Sequence, residues 1–422
     1  MRFALAPITL SISAASVLNQ TLSIALIFVK IKDRYKSGYM RDIDIIHRLQ
    51  SHEYMEGCLL ETKEVIRNIE EIRNSKALWK EFEYEDSDAN YWKRYAAAVA
   101  LQYDWREEDY DFIRYLMENE VESRTHDAFQ GYGDSLLLLS YLLAKFRKLE
   151  NVWTFEKAKS ANFDTYCGYF DEFIFSAGVE QTCTYIEEVG LTESNSYLFE
   201  RKDKLRTLYT EQDIESFMQR MALWFPDSIE KESTDSLLSR AIDFKDDEEA
   251  DRLFAILEQD AETSITTLYY RAKEIGNYKK AISYKEKELD SISDPRDKTS
   301  ALLDITKLHI MNNDCGKAYE TAQLWEQLLS QFDSWQETGL GRSMCEAWFD
   351  ICLGLSKEQK MTTALLCYEN GKWMVSRTNA CYLNLLKKAY ACSEVLQKKK
   401  DMRFYKMKIQ KEKKKIDRIK RR

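Results

Sequence analysis

Apolar residues recur at steps of three and four along the chain from residue 42 onward, and this spacing places them on one face of a helix. One example is the run of Val65, Ile66, Ile69 and Ile72, which continues a similar pattern that begins at Ile43. Acidic residues, which favour the first turn of a helix, begin several later runs. The pattern predicts helices over 91–103, 109–121, 134–148, 164–177 and 211–224.

Turn-forming residues are scarce, since the 422 residues include only 13 glycines and 3 prolines. Many short strands would need more turns of that chemistry, because average proteins contain ~7% glycine and ~5% proline. The sequence therefore predicts an all-α fold. A chain of this length can also bury a large apolar interior without metals or disulfides.

One predicted hairpin carries a more specific signature, within residues 268–284. Gly276, Tyr278 and Ala281 resemble the middle of a tetratricopeptide repeat. In that family a helix ends at a small residue, and after a short turn a bulky residue and an alanine start the partner helix. A second segment ending at Ala318 resembles it less closely, because Cys315 stands where the family prefers an aromatic residue.

The small positions suggest a degenerate array over roughly residues 235–400. Taking Ala250, Ala281, Ala318 and Ala364 as equivalent gives intervals of 31, 37 and 46 residues, whereas the family repeats at about 34. The resemblance implies helical hairpins stacked as an α-solenoid, because a small residue lets two antiparallel helices cross closely. Such stacks leave a curved groove, so the resemblance implies binding of a protein or peptide and no attached reaction.

The N-terminal segment is apolar, with no charged residue from Phe3 to Val29. As a helix it would be about 40 Å long, enough to cross the ~30 Å hydrocarbon core of a bilayer. Basic residues follow at once, starting with Lys30, and this bias would keep the rest of the chain in the cytosol. Three interpretations stand: a membrane anchor over residues 3–29, a signal peptide cleaved near Ala15, or a segment packed within the protein.

Charge is distributed unevenly along the chain. The net charge is −9, but the segment from Lys398 to Arg422 carries about +11 and the remainder about −20. The acidic body should repel nucleic acid and anionic membranes, so only the basic tail could attract them. We expect a helix in this tail, either capping the stack or presenting Lys406, Lys413 and Lys414 to an anionic membrane or a nucleic acid.

Aromatic residues are concentrated in residues 82–115. Tyr91, Trp92, Tyr95 and Trp105 are candidates for binding a partner, because aromatic rings supply rigid contact area with a polar edge. The competing interpretation is ordinary packing between helices, with the tyrosine hydroxyl groups reaching water.

Candidate chemistry is sparse. The chain has four histidines, and the closest two, His47 and His52, would point about 140° apart on a helix. The nine cysteines form no Cys-x-x-Cys pair, which favours reduced core residues in the cytoplasm. No nucleophile elbow or phosphate-binding loop occurs. We therefore predict no enzymatic activity, no cofactor, no metal and no small-molecule substrate.

These observations predict four segments: an apolar N-terminal segment over 1–35, a helical domain over 36–228, tetratricopeptide-like repeats over 229–400, and a basic helix over 401–422. The leading hypothesis is a non-enzymatic adaptor or scaffold that binds another protein, anchored to the inner face of a membrane if residues 3–29 span it. Two alternatives are an acidic immunity or antitoxin-type protein that neutralises a basic toxin, and a nucleic-acid or anionic-membrane binder acting through the tail.

Overall fold

The computed structural model describes residues 63–85, 88–127, 131–190, 196–377 and 382–420. Within these residues the chain is helical and contains no β-strand, which confirms the predicted all-α class. The chain divides into two compact units, with the boundary between Ser233 and Thr234. The predicted anchor over 3–29 lies outside the described residues.

Unit 1 consists of short and medium helices joined by 3₁₀ turns. Among its described residues the helices are α1 (Ile69–Asn74), α2 (Tyr91–Tyr103), α3 (Tyr110–His126), α4 (Gly133–Ala144), α5 (Val152–Ser160), α6 (Phe163–Gly168), α7 (Val179–Val189), α8 (Ser196–Leu208) and α9 (Glu211–Trp224). The 3₁₀ turns are Leu78–Phe82, Glu107–Asp109, Leu149–Asn151, Asp171–Phe175 and Ile229–Lys231.

The core of unit 1 forms around α4, which packs against both α2 and α3. All residues of α4 from Ser135 to Ala144 are buried, as expected for a helix that is apolar on all sides. On α2, Ala96, Ala97 and Ala98 are 0% exposed, and their small side chains permit close helix packing.

The predicted helix over 164–177 is wrong. The chain forms α6 only as far as Gly168, becomes extended at Tyr169, and then makes the 3₁₀ turn Asp171–Phe175. Two tertiary hydrogen bonds fix Tyr169: its hydroxyl donates to Ser140 Oγ at 2.7 Å, and its carbonyl accepts from Lys159 Nζ at 2.6 Å. Such long-range contacts leave no mark on local periodicity.

The described residues of unit 2 form a succession of five helical hairpins. They pair α10 (Thr234–Asp243) with α11 (Asp247–Gln259), α12 (Ile265–Glu274) with α13 (Tyr278–Ser291), α14 (Pro295–Met311) with α15 (Cys315–Leu329), α16 (Gly339–Lys357) with α17 (Met361–Val375), and α18 (Leu383–Val395) with α19 (Lys399–Lys420). A 3₁₀ turn, Trp335–Glu337, precedes α16. Two apolar clusters form the core, and α14 contributes to both through Leu302 and Leu308.

Candidate functional site

One backbone turn is repeated in all five hairpins of unit 2. The second residue after each first helix has a positive φ: Lys245 (59°), Gly276 (74°), Asn313 (57°), Gln359 (61°) and Gln397 (54°). The N–H of the next residue donates to a carbonyl five positions earlier, for example Asn277 N to Ala272 O at 2.8 Å and Lys360 N to Leu355 O at 2.9 Å. The second helix begins one residue later, so the same cap ends one helix and starts the next.

A small buried residue also repeats, as the fourth residue of the second helix. Ala250 is 2% exposed, and Ala281, Ala318 and Ala364 are 0% exposed. The fifth hairpin departs from this pattern, because Met402 holds the position in α19 and is half-buried. The candidate packing residues Gly276, Ala281 and Ala318 thus lie at matching places in their hairpins.

The structure also gives a reason for the cysteine in the third hairpin. Tyr278 and Cys315 are each the first residue of a second helix. A Cβ atom added to Gly354 on α16 would lie 2.1 Å from Cys315 Sγ, so the next hairpin approaches this position closely. An aromatic side chain has no room there, whereas Tyr278 packs half-buried beside its own cluster.

Polar side chains join the first helices of neighbouring hairpins. Arg271 on α12 makes two hydrogen bonds to the Asp235 carboxylate on α10, at 2.6 and 2.7 Å. Lys388 Nζ on α18 lies 2.7 Å from Asp350 Oδ2 and 4.0 Å from Glu346 Oε1, both on α16. Burial raises the pKa of Asp350 although Lys388 opposes this, and the two carboxylates raise the pKa of Lys388 although burial lowers it.

On α16 a single stripe remains accessible, because the other residues between positions 341 and 356 are buried. We define the first-helix stripe as the charged part of this surface together with the flanking lysines of α14 and α18. Its members are Lys307, Arg342, Glu346, Asp350, Lys357 and Lys388.

In unit 1 the structure brings three of the four candidate aromatic residues together, because the Tyr95 ring centroid lies 6.5 Å from those of both Tyr91 and Trp92. Tyr91 and Trp92 have ring centroids 4.8 Å apart, and the Arg124 guanidinium lies 5.2 Å from the Tyr91 ring. Tyr95 is only 3% exposed and belongs to the core. Tyr91 and Trp92 are half-buried, which leaves each ring partly accessible.

Trp105 lies just beyond the opposite end of α2. Its ring packs 4.9 Å from the Phe146 ring, and Lys145 Nζ lies 4.1 Å from its centroid. Trp105 therefore has a different set of neighbours from Tyr91 and Trp92, and the four residues do not form one aromatic patch.

The basic segment forms α19, whose apolar stripe faces inward. Tyr405 is 1% exposed, and Met402, Ile409 and Ile416 are half-buried, with Ile409 packed against the core cluster. Asp401 fastens the start of α19 by accepting from Tyr368 Oη at 2.7 Å and from Lys372 Nζ at 2.9 Å.

Three predicted lysines of this helix, Lys406, Lys413 and Lys414, are exposed. Two exposed apolar residues of the same helix, Phe404 and Met407, were not predicted from the sequence. Both residues lie outside the three- and four-residue spacing of the inward apolar stripe. That departure was the feature of the sequence from which their exposure could have been predicted.

Two cavities in the described parts of the chain are only partly enclosed. One, of about 190 Å³, lies beside Arg114, Glu118 and Trp153 in unit 1. Another, of about 510 Å³, is lined by Glu326 on α15 and by Glu369, Asn370 and Trp373 on α17. Burial raises the pKa of Glu326.

Over the same described residues, no group of three or more His, Cys, Asp and Glu side chains is placed to hold a metal ion. His47, His52 and Cys58 lie outside them. No helix among the described residues combines the length and the apolar character needed to cross a membrane.

Comparison with known proteins gives no relative for this chain: no family model matches it, and neither does a curated protein or a solved structure.

Proposed function

We propose that unit 2 is a tetratricopeptide-like α-solenoid that binds another protein or peptide, as a non-enzymatic adaptor or scaffold. One observation carries this proposal. The same turn closes five successive hairpins, and a buried alanine follows at the same place in four of them. Arrays of such units bury their cores between neighbours and use an extended surface for recognition.

The first helices offer the surface for that partner. The first helix α16 contacts both α14 and α18, the first helices of the hairpins on either side. Its accessible stripe combines acidic and basic groups within a few turns of helix. Alternating charges of this kind favour specific pairing with complementary charges on a partner over general attraction to a polyanion.

Placement in the cell is a separate proposal. We place the adaptor in the cytoplasm, because a chain whose buried cysteines, such as Cys183 and Cys367, are free thiols suits a reducing compartment. Residues 3–29 would fix it to the inner face of a membrane. Fractionation of the full chain and of a chain that starts at Asp33 tests the anchor: loss of membrane association in the shorter chain supports it, and unchanged partition contradicts it.

The binding proposal is tested with a matched pair of double variants in the full chain. Lys307→Glu with Arg342→Glu changes the first-helix stripe, and Lys279→Glu with Lys317→Glu makes the same charge change on exposed residues of second helices. Partners recovered with the wild-type chain would be identified, purified and titrated against each protein. We expect the stripe variant to weaken binding at least tenfold and the control to stay within about twofold.

Two results would contradict this function. One is a partner whose affinity falls equally with both double variants, because the first helices would then have no special role. The other is a chain that recovers no stoichiometric partner in repeated experiments. Circular dichroism of each variant shows whether its helical fold is intact.

A further inference from the structure

The outward face of α19 carries a continuous basic strip. Lys400, Arg403, Lys411, Lys414 and Arg418 are all exposed, and their spacing places them on the side opposite to Tyr405. The strip is about 27 Å long at 1.5 Å per residue. Phe404 and Met407 lie on the same side, 45% and 59% exposed.

The acidic residues of α19 lie off this strip. Asp401 is turned toward α17, where it pairs with Lys372. Glu412 is half-buried and pairs with Lys415 at 3.4 Å. Asp417 is exposed and lies about 60° around the helix from Lys414, outside the edge of the strip. Every charged residue of the outward strip is therefore positive.

The strip also extends beyond its partner helix. α19 has 22 residues and α18 has 13, so the final turns of α19 outrun the helix with which it forms a hairpin. Lys414 and Arg418 belong to this extension, and Lys411 lies just before it. A flat charged surface can approach them without a clash with α18.

We propose that the outward strip of α19, defined by Lys400, Arg403, Phe404, Met407, Lys411, Lys414 and Arg418, docks onto an anionic lipid bilayer. Five cations would face the negative headgroups, each adding a favourable electrostatic contribution near the surface. Phe404 and Met407, in the middle of the strip, would insert at the boundary between headgroups and acyl chains.

The two apolar residues decide between lipid and nucleic acid. A phosphate backbone is bound by cations, and its affinity gains little from an exposed methionine. A bilayer rewards both the cations and the apolar pair. This surface is separate from the first-helix stripe, so a membrane-bound α19 leaves that stripe available for a protein partner.

The test measures binding of the full chain to phosphatidylcholine vesicles with and without about 30% phosphatidylserine. The difference in binding between the two kinds of vesicle gives the contribution of the anionic lipid, because insertion of other apolar segments contributes to binding in both. Lys411→Gln, Lys414→Gln and Arg418→Gln together should lower binding to the anionic vesicles about a hundredfold, or about fivefold for each charge. The control is a matched triple variant that removes the same charge from the flanks of the same helix: Lys406→Gln, Lys408→Gln and Lys413→Gln. This control should lower binding to the anionic vesicles tenfold or less.

A second pair of variants tests the apolar contribution. Phe404→Ser with Met407→Ser should lower binding to the anionic vesicles about tenfold and leave binding to single-stranded or duplex RNA unchanged. Equal losses from the two charge triples, or no loss from the serine variant, would overturn the proposal. Tighter binding to RNA than to the anionic vesicles would also overturn it, in favour of a nucleic-acid surface.

Discussion

Arg94 and Glu120 form an ion pair in the core of unit 1, with 2.8 Å between Arg94 Nε and Glu120 Oε2 and no solvent exposure for either side chain. Glu120 also accepts from buried Arg124, and Arg94 donates to Asp88 Oδ2 at 2.5 Å. Burial by itself lowers the pKa of Arg94, but the two carboxylates outweigh it and hold that pKa above its usual value. Two cations and two anions thus balance within a largely buried site that joins α2 to α3.

Glu120→Gln should destabilise the protein by about 3–5 kcal/mol, because it leaves two buried guanidinium groups with too few negative partners. The measurement is the free energy of unfolding in urea. Glu118→Gln on the same helix is the control, since Glu118 is 51% exposed and its pair with Arg114 should contribute about 1 kcal/mol or less. A cost for Glu120→Gln as small as that of the control would show that the buried pair is unimportant for stability.

The repeated turns predict opposite effects for two exchanges. Gln359→Gly should stabilise unit 2 by about 1 kcal/mol, because glycine adopts a positive φ without the cost that a Cβ brings. Gly276→Gln should destabilise it by about the same amount. A Cβ at Gly276 would meet no atom within 4 Å, so only the backbone conformation is at issue. Thermal unfolding should move the two midpoints in opposite directions, and a shift of the same sign would refute this account.

Helix packing sets another pair of predictions. A Cβ at Gly371 on α17 would lie 2.8 Å from the Phe349 ring on α16, so Gly371→Ala should destabilise by about 1–3 kcal/mol. A Cβ at Gly316 on α15 would lie 3.8 Å from its nearest atom, so it fits without a clash. Gly316→Ala should therefore stabilise the protein by up to about 1 kcal/mol, because alanine has the higher helix propensity. Denaturant titrations of both variants give the comparison. Stabilisation by both would mean that the α16 and α17 interface is looser than the structure shows.

We expect His309 to make the stability of unit 2 depend on pH. It is 5% exposed, and burial lowers its pKa, with nearby Asp314 opposing this and Lys317 adding to it. Below the ordinary histidine pKa of about 6.5 the unfolded chain therefore binds more protons than the folded one, and stability falls as pH decreases. Between about pH 7.5 and 5.5, His309→Leu should remove the part of the decrease in the free energy of unfolding that His309 causes.

The measurement for His309 is the free energy of unfolding of the wild type and the variant at each pH. His126→Leu is the control, because His126 is exposed on the surface of α3. If the wild type and His309→Leu lose stability in parallel as the pH falls, the buried histidine has no role in the pH dependence.

Local features of the sequence were enough to predict much of the helical content. Scarce glycine and proline, together with apolar steps of three and four, gave the all-α class that the structure confirms. The predicted helices 91–103 and 211–224 match α2 and α9 in both bounds. These features act between residues a few positions apart, so they can be read without knowing which helices meet.

Only the tertiary structure decided which side chains are buried and what they face. Tyr95 and Phe404 are both aromatic residues in helices, yet the first is in the core and the second points outward. The pairing of Arg94 with Glu120 joins residues on different helices, and composition shows neither partner to be buried. Such outcomes depend on which helices pack together, because burial and pairing are set by contacts between distant parts of the chain, whereas the 3.6-residue period of a helix is a property of the local sequence.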